Sequence, residues 1–270
     1  MPKMSDLKDG VVAKELHVFY VLDTSGSMLG APIAALNDAM RETVKELANI
    51  SKTSADAKLK LAVMEYNNNC RWVTQGDNGL ESVEDFFWTD LQANGLTALG
   101  AALTELNKQL SRNAMMKSET GNKVPVIIFM SDGYPNDNWE HPLSELKNNK
   151  WYNAAIKIAF ALGDNADTGV LAQVVNDPEA VIKTTNLTAF KNMIRIASVT
   201  ASLAASTSRT TSDPIDGKTV VENTLGGNPP KAPDGTVVID GNTPVGDIPD
   251  IYWPLDPSDP NSIFNYDDFD

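Results

Sequence analysis

The sequence predicts an α/β fold: a mostly parallel central sheet with helices on both faces, followed by an acidic, proline-rich C-terminal tail. Three observations carry this expectation. Short apolar runs alternate with stretches in which apolar residues recur every three or four positions. The clearest runs, "LHVFYVL" (16–22) and "VPVIIFM" (124–130), are continuous rather than alternating, as strands covered on both faces should be. Beyond residue 206 the composition changes, and nine of the fifteen prolines lie there.

The elements follow in order. After the strand at 16–22, a helix opens near Pro32, with Ile33, Leu36, Met40, Val44 and Leu47 on one face. "KLKLAVMEY" (58–66) reads as a second strand. "CRWVTQ" (70–75) comes after the turn signal "NNN" and is expected to pair antiparallel. A helix starts near Thr97 and aligns Leu99, Leu103, Leu106 and Leu110. Strands are expected at 124–130, at "AAIKIAFAL" (154–162) and at "AVIKTT" (180–185). A last helix, about 188–206, places Phe190, Ile194, Ala197, Ala201 and Ala204 at helical spacing.

Residues 206–270 hold three basic and twelve acidic side chains. With the prolines, which break helices and central strands, this makes 207–250 a linker in expectation. The sequence thus divides into an arm (1–14), a folded domain (15–206), the linker (207–250) and an acidic-aromatic segment (251–270). Within the linker, "GTVVIDG" (235–241) is capable of extending a sheet edge. The last segment sets Tyr252, Trp253, Phe264, Tyr266 and Phe269 among aspartates, which fits either a solubilising tail or a docking segment whose aromatics a partner buries.

The net charge of −14 argues against non-specific nucleic-acid binding and against docking on anionic lipid. It suits metal cations or a basic partner. The single cysteine, Cys70, permits no internal disulfide. The first fifteen residues are polar, and no apolar run approaches the ~18 residues of a membrane span. The expected location is cytoplasmic.

In a parallel sheet, ligands bind beyond the carboxyl ends of the strands, where strand order reverses. Three loops there carry hard oxygen donors: "LDTSGSM" with Asp23, Ser25 and Ser27, "ANGLTALG" with Thr97, and "FMSDGYPND" with Asp132. Hydroxyls and carboxylates without His or Cys suit Mg²⁺, Mn²⁺ or Ca²⁺ rather than zinc. Gly26 and Gly30 permit a tight turn around such a site. Taken singly, each residue also has a structural reading: Asp23 and Thr97 as helix caps, Asp132-Gly133 as a turn. Their joint placement after strands singles them out. Asp137 and Trp139 are candidates for the rim of the site. His17, His141 and Cys70 stand without partner clusters and read as structural.

The pattern Asp23-Thr24-Ser25-Gly26-Ser27, then Thr97, then Asp132, resembles the metal-ion-dependent adhesion site of the von Willebrand factor type A domain, D-x-S-x-S…T…D, at every position. The resemblance implies a Rossmann-like sheet with one antiparallel edge strand, a role that falls to 70–75. It implies a non-enzymatic binding module in which the serines and the threonine hold the metal directly and the aspartates act largely through water. A partner's acidic side chain would fill the open position. Segments such as "VPVIIFMSDGYPNDNW" and "ALGDNADTGVLAQV" are similar to the bacterial TerY-like subgroup of tellurium-resistance and stress clusters, over roughly residues 15–210. That similarity implies scaffolding with a protein kinase and a PP2C-type phosphatase as partners. The alternative is a metal-dependent phosphohydrolase of haloacid dehalogenase type, which also begins with an aspartate after an apolar strand. It needs a second carboxylate as general acid where this chain has Ser25.

Overall fold

The computed structural model describes residues 7–8, 11–54, 57–76, 79–207, 215–240 and 242–243. β1 (Leu7–Lys8) and β2 (Val11–Val12) pair as a short antiparallel ribbon where the sequence predicts an arm. Then come β3 (Lys14–Asp23), α1 (Ala31–Thr53), β4 (Ala57–Tyr66), β5 (Cys70–Trp72), β6 (Glu81–Ser82), α2 (Leu99–Gln109) and β7 (Val126–Ser131). The rest is α3 (Glu140–Leu146), α4 (Lys150–Ala154), β8 (Ile156–Leu162), α5 (Thr168–Val175), β9 (Val181–Thr184), α6 (Leu187–Thr207), α7 (Gly217–Thr224) and β10 (Val237–Val238).

The main sheet has the order β10-β9-β8-β7-β3-β4-β5, with β6 also on β4. Its neighbours are parallel except β5 and β6, which run antiparallel to β4. The continuous apolar runs are explained by the two cores they separate. Successive side chains point to opposite faces. Leu16, Val18, Tyr20 and Leu22 of β3 pack with α1, α6 and α7, whereas Phe19 and Val21 pack with α2, α3 and α5.

The helical faces fall where the spacing puts them. Ile33, Leu36, Met40, Val44 and Leu47 are all buried in α1, beside α6, and Arg195 Nη1 bonds Glu46 Oε1 at 2.8 Å between the two helices. Some boundaries move. Ladder pairing of the antiparallel strand stops at Trp72, and residue 154 closes α4 rather than opening β8.

The linker expectation fails for residues 215–240. Asp216 accepts a hydrogen bond from Thr219 N at 2.8 Å and caps α7, whose Val220 and Val221 are fully buried in the first core. Within the run at 235–241, Val237 and Val238 do extend the sheet, with Val237 facing Ile182 in parallel register. An average over a polar, proline-rich stretch hides these few valines, which suffice once a preformed core receives them. Val220→Ala/Val221→Ala is expected to cost about 3 kcal/mol, at ~0.8 kcal/mol per buried methyl group. Chemical denaturation checks this, and unchanged stability would restore the linker reading. Among the described residues no helix is long and apolar enough to cross a membrane. Tyr252, Trp253, Phe264, Tyr266 and Phe269 lie outside the described residues.

Candidate metal centre

The chain passes from β3 outward to β4 and β5, then returns to place β7 on the other side of β3. Strand order therefore reverses between β3 and β7, and a crevice opens beyond their carboxyl ends. β3 ends on Asp23 and β7 on Ser131, with Asp132 next, so the two aspartate-bearing loops start side by side.

Asp23 is fully buried. Its Oδ1 accepts Ser25 N at 2.8 Å and its Oδ2 accepts Ser131 Oγ at 2.7 Å. The loop then closes as a 3₁₀ turn at Gly26–Met28. Ser25 Oγ and Ser27 Oγ lie 3.0 Å apart, and Ser27 Oγ donates to Asp132 Oδ1 at 2.8 Å. One chain of short polar contacts thus links Asp23, Ser25, Ser27 and Asp132.

Thr97 arrives from the third loop. Its backbone is clamped by Asn136, whose Oδ1 accepts Thr97 N at 3.0 Å and whose N donates to Thr97 O at 2.9 Å. The first and third loops are joined by Gly26 N to Gly95 O at 3.0 Å and Asn94 N to Thr24 O at 2.8 Å. Gly30 turns at φ 89, a left-handed conformation, while Gly26 favours a close approach: a Cβ there would lie a tight 3.2 Å from Gly95 O. Thr97 does not cap α2. Ala98 holds that position, and Asp137 supplies the acceptors, taking Gly100 N and Ala101 N at 3.0 Å each.

Ser27, Thr97 and Asp132 line a common cavity of about 550 Å³, which continues past Tyr134 to the loops after β8 and β9. Both carboxyls are raised above their usual range. Burial is the main cause for Asp23, offset by bonds from Ser25 and Ser131 and reinforced by the charge of Asp132. For Asp132 burial is again the main cause, offset first by Ser27.

These residues fit a divalent cation. Every donor is a hard oxygen. Two buried carboxylates face each other's charge without a basic residue between them, a cost that a cation would relieve. Thr97 lines the cavity with its backbone held by Asn136, which leaves its side chain available to a ligand there. No cluster of three or more His, Cys, Asp or Glu positioned for a metal occurs among the described residues, so no carboxylate-rich or thiolate site competes with it.

Ser131, Asn136 and Asp137 complete the centre. Only Asp137 carried a sequence signal, as a rim candidate, and the structure gives it a bracing role instead. Trp139 packs half-buried against the second core and does not line the cavity. His17 is buried between Met116 Sδ at 3.4 Å and Glu15 Oε2 at 3.1 Å. The Cys70 thiol is pushed up, first by burial and then by Glu105, so nothing activates it.

Gly100 offers a test of the bracing. A Cβ there would sit 2.2 Å from Asn138 O, a backbone atom that cannot swing aside. Gly100→Ala is expected to push the Asp137–Asn138 backbone away from α2 and draw Thr97 off the other donors. Cation affinity should drop about tenfold or more, the scale of a lost supporting contact around a metal. Calorimetric titration checks this, and wild-type affinity would show that the clamp does not set the site.

A sequence model of the von Willebrand factor type A domain matches residues 17–196. The human inter-alpha-trypsin inhibitor heavy chain H6 is 25% identical over 173 residues, covering 61% of this chain and 13% of that protein. Among solved structures, the pilus adhesin SpaC of Lactobacillus rhamnosus GG is similar at TM-score 0.54 and 13% identity, over 72% of this chain and 31% of its own. Proximal thread matrix protein 1 of the mussel byssus, solved with a zinc-occupied adhesion-site (MIDAS) motif, is similar at TM-score 0.50 and 17% identity. That likeness covers 72% of this chain and 46% of the mussel chain. This chain therefore spans less than half of each of these relatives, and at such identities the structural likenesses show the fold.

Proposed function

Because the chain belongs to the von Willebrand factor type A domain family, whose domains generally mediate metal-dependent protein–protein interaction, we propose that it is a non-enzymatic, metal-dependent protein-binding module. Ser25, Ser27 and Thr97 would hold the cation by their hydroxyls, with Asp23 and Asp132 as the neutralising carboxylates. The observation that carries this reading is the unbroken polar chain from Asp23 through Ser25 and Ser27 to Asp132, opening on a cavity that Thr97 also lines. When bound, the cation supplies one positive point on an otherwise acidic face, to which a partner's Asp or Glu carboxylate can bind. The chain's own part is to fix the donors and to surround them with a surface that selects the partner.

Mg²⁺ is the proposed ion, with Mn²⁺ and Ca²⁺ as alternatives of the same donor preference. The zinc in the mussel protein's motif makes Zn²⁺ a necessary arm of the titration. The finer assignment, a TerY-like scaffold in a bacterial stress-resistance or defence system with a kinase and a PP2C-type phosphatase, is supported by the sequence resemblance. No observation favours a phosphohydrolase. Position 25 bears a hydroxyl where a general acid is needed, and both Asp23 oxygens are engaged by Ser25 and Ser131.

The test is calorimetric titration of Mg²⁺, Mn²⁺, Ca²⁺ and Zn²⁺ into the chain, followed by co-purification of partners with and without EDTA. Saturable binding at one site, and partners lost with EDTA, are the expected results. Absence of binding by all four ions would sink the reading.

A further inference from the structure

The strand β10 delivers the chain to the same carboxyl end of the sheet as the proposed metal centre. In register, Leu22 of β3 faces Met130 of β7, Met130 faces Phe160 of β8, Phe160 faces Ile182 of β9, and Ile182 faces Val237 of β10. All five strands are parallel. Val238 therefore stands in the row of Asp23, and the residues after it leave at the level of the site. β10 lies four strand spacings from β3, roughly 19 Å, and three from β7, roughly 14 Å.

The cavity occupies the ground between. One end holds Ser27, Thr97 and Asp132, and the other is formed by the loops after β8 and β9, including Asp164 and Leu187. Tyr134, Pro32, Leu162 and Leu187 give it apolar lining, and more apolar surface is exposed on the loops nearby. Of the five large apolar residues exposed among the described residues, three flank the metal loops: Leu29 (72%), Leu96 (60%) and Tyr134 (63%). No basic residue lines the cavity.

Residues 244–270 follow, with seven aspartates, five aromatics and no basic residue. Within them "DIYWPLD" (250–256) places Tyr252 and Trp253 between Asp250 and Asp256. Asp250 and Asp256 lie seven and thirteen residues beyond Thr243, the last described residue. Random-coil arithmetic for chains of those lengths gives end-to-end distances of roughly 15 and 20 Å, comparable with the roughly 14 to 19 Å between β10 and the strands that carry the site. Intramolecular capture is most effective when linker length matches the span.

We infer that the chain is its own ligand: residues 250–256 lie back along this cavity, Asp250 or Asp256 offers its carboxylate to the cation, and Tyr252 and Trp253 cover the apolar rim. The inference rests on the proposed metal site. Without a cation the cavity presents Asp132 and Asp164, with Asp23 buried behind them, to an acidic segment and repels it, so docking requires the metal. The docked tail competes with any external acidic partner, and such a partner must displace it.

The test uses the full chain with Mn²⁺ as probe. Wild type is compared with Asp250→Asn/Asp256→Asn, with the charge-matched control Asp267→Asn/Asp268→Asn, and with Ser27→Ala. Mn²⁺ affinity is read by paramagnetic resonance, tail protection by hydrogen exchange, and mass by sedimentation. For Asp250→Asn/Asp256→Asn the affinity should fall about tenfold, the gain expected of a tethered ligand at millimolar effective concentration being removed. The control should match wild type. Mn²⁺ should protect residues 250–256 and the loop at Tyr134 in a monomer, and that protection should vanish in Ser27→Ala. Equal affinity in all tail variants with no tail protection would overturn the inference and leave the metal site standing. Equal loss in both tail pairs would reduce it to general charge and overturn it as well. A Mn²⁺-dependent dimer would place the tail on a second copy instead. Failure of wild type to bind Mn²⁺ would remove the inference and the metal site together.

Discussion

In Ser25→Ala/Ser27→Ala, divalent-cation affinity is expected to fall at least about a hundredfold, since even loss of a contact behind a metal ligand costs 10–100-fold. The fold should survive. The Ser25 hydroxyl meets Ser27 Oγ and the Asp23 and Asp132 carboxyls, and Ser27 Oγ gives up one bond to Asp132, all within the site itself. The cost in stability should be about 1–2 kcal/mol. Asp23→Ala makes a different demand, because Ser25 N would lose its acceptor and Ser131 Oγ would keep only the longer bond to Gly133 O at 3.4 Å. It should abolish cation and partner binding together while removing one of two mutually repelling carboxylates. Calorimetry and thermal melts on the same samples separate these effects. Wild-type affinity in the double serine variant would mean that the cation sits elsewhere, whatever the sequence pattern.

The second large effect is a pH dependence centred on Lys157. This residue of β8 is 7% exposed, with Nζ donating to Tyr152 O at 2.8 Å and Ala155 O at 2.9 Å. Burial pulls its amine from 10.5 down to about 8, and Asp216 offsets part of that. The folded state therefore binds fewer protons than the unfolded state between about pH 8 and 10.5. Below that window the charged amine is a full penalty on folding. As pH rises through it, stability is regained, by about 3 kcal/mol in total. Other groups titrate over the same range, so the clean quantity is the difference between wild type and Lys157→Met. Wild type should gain about 3 kcal/mol on the variant between pH 7.5 and 10.5. A constant difference would mean that Lys157 keeps an ordinary pKa, through water or motion that relieves its burial.

Much of the architecture was legible because its signals are local. A strand buried on both faces must be apolar at consecutive positions, and β3, β4, β7 and β8 are. Helices that face a sheet must repeat every three or four residues, and α1 and α6 do. The proposed donor set was legible for a related reason. Asp23, Ser25 and Ser27 alternate within five residues, and Thr97 and Asp132 each follow a recognisable break in pattern. The braces were not. Nothing in "MSDGYPNDN" distinguishes the Asn136 that clamps Thr97 from its neighbours, because its partner lies 39 residues away. Asp137 drew notice as a rim residue, yet its two carboxylate oxygens cap α2 across the crevice.

The sequence by itself determined which segments become strands and helices and which oxygens can face a cation, since burial pattern and side-chain chemistry are properties of short stretches. The tertiary structure decided three other things. It set β7 beside β3, so that Asp132 meets Ser27. It recruited Val220, Val221 and Val237 from a polar stretch into the core. It also set β10 parallel to the sheet, so that Val238 stands at the carboxyl end that carries the proposed metal centre. Each depends on surfaces that exist only after the sheet has formed, and a local pattern carries no information about a partner it does not yet touch.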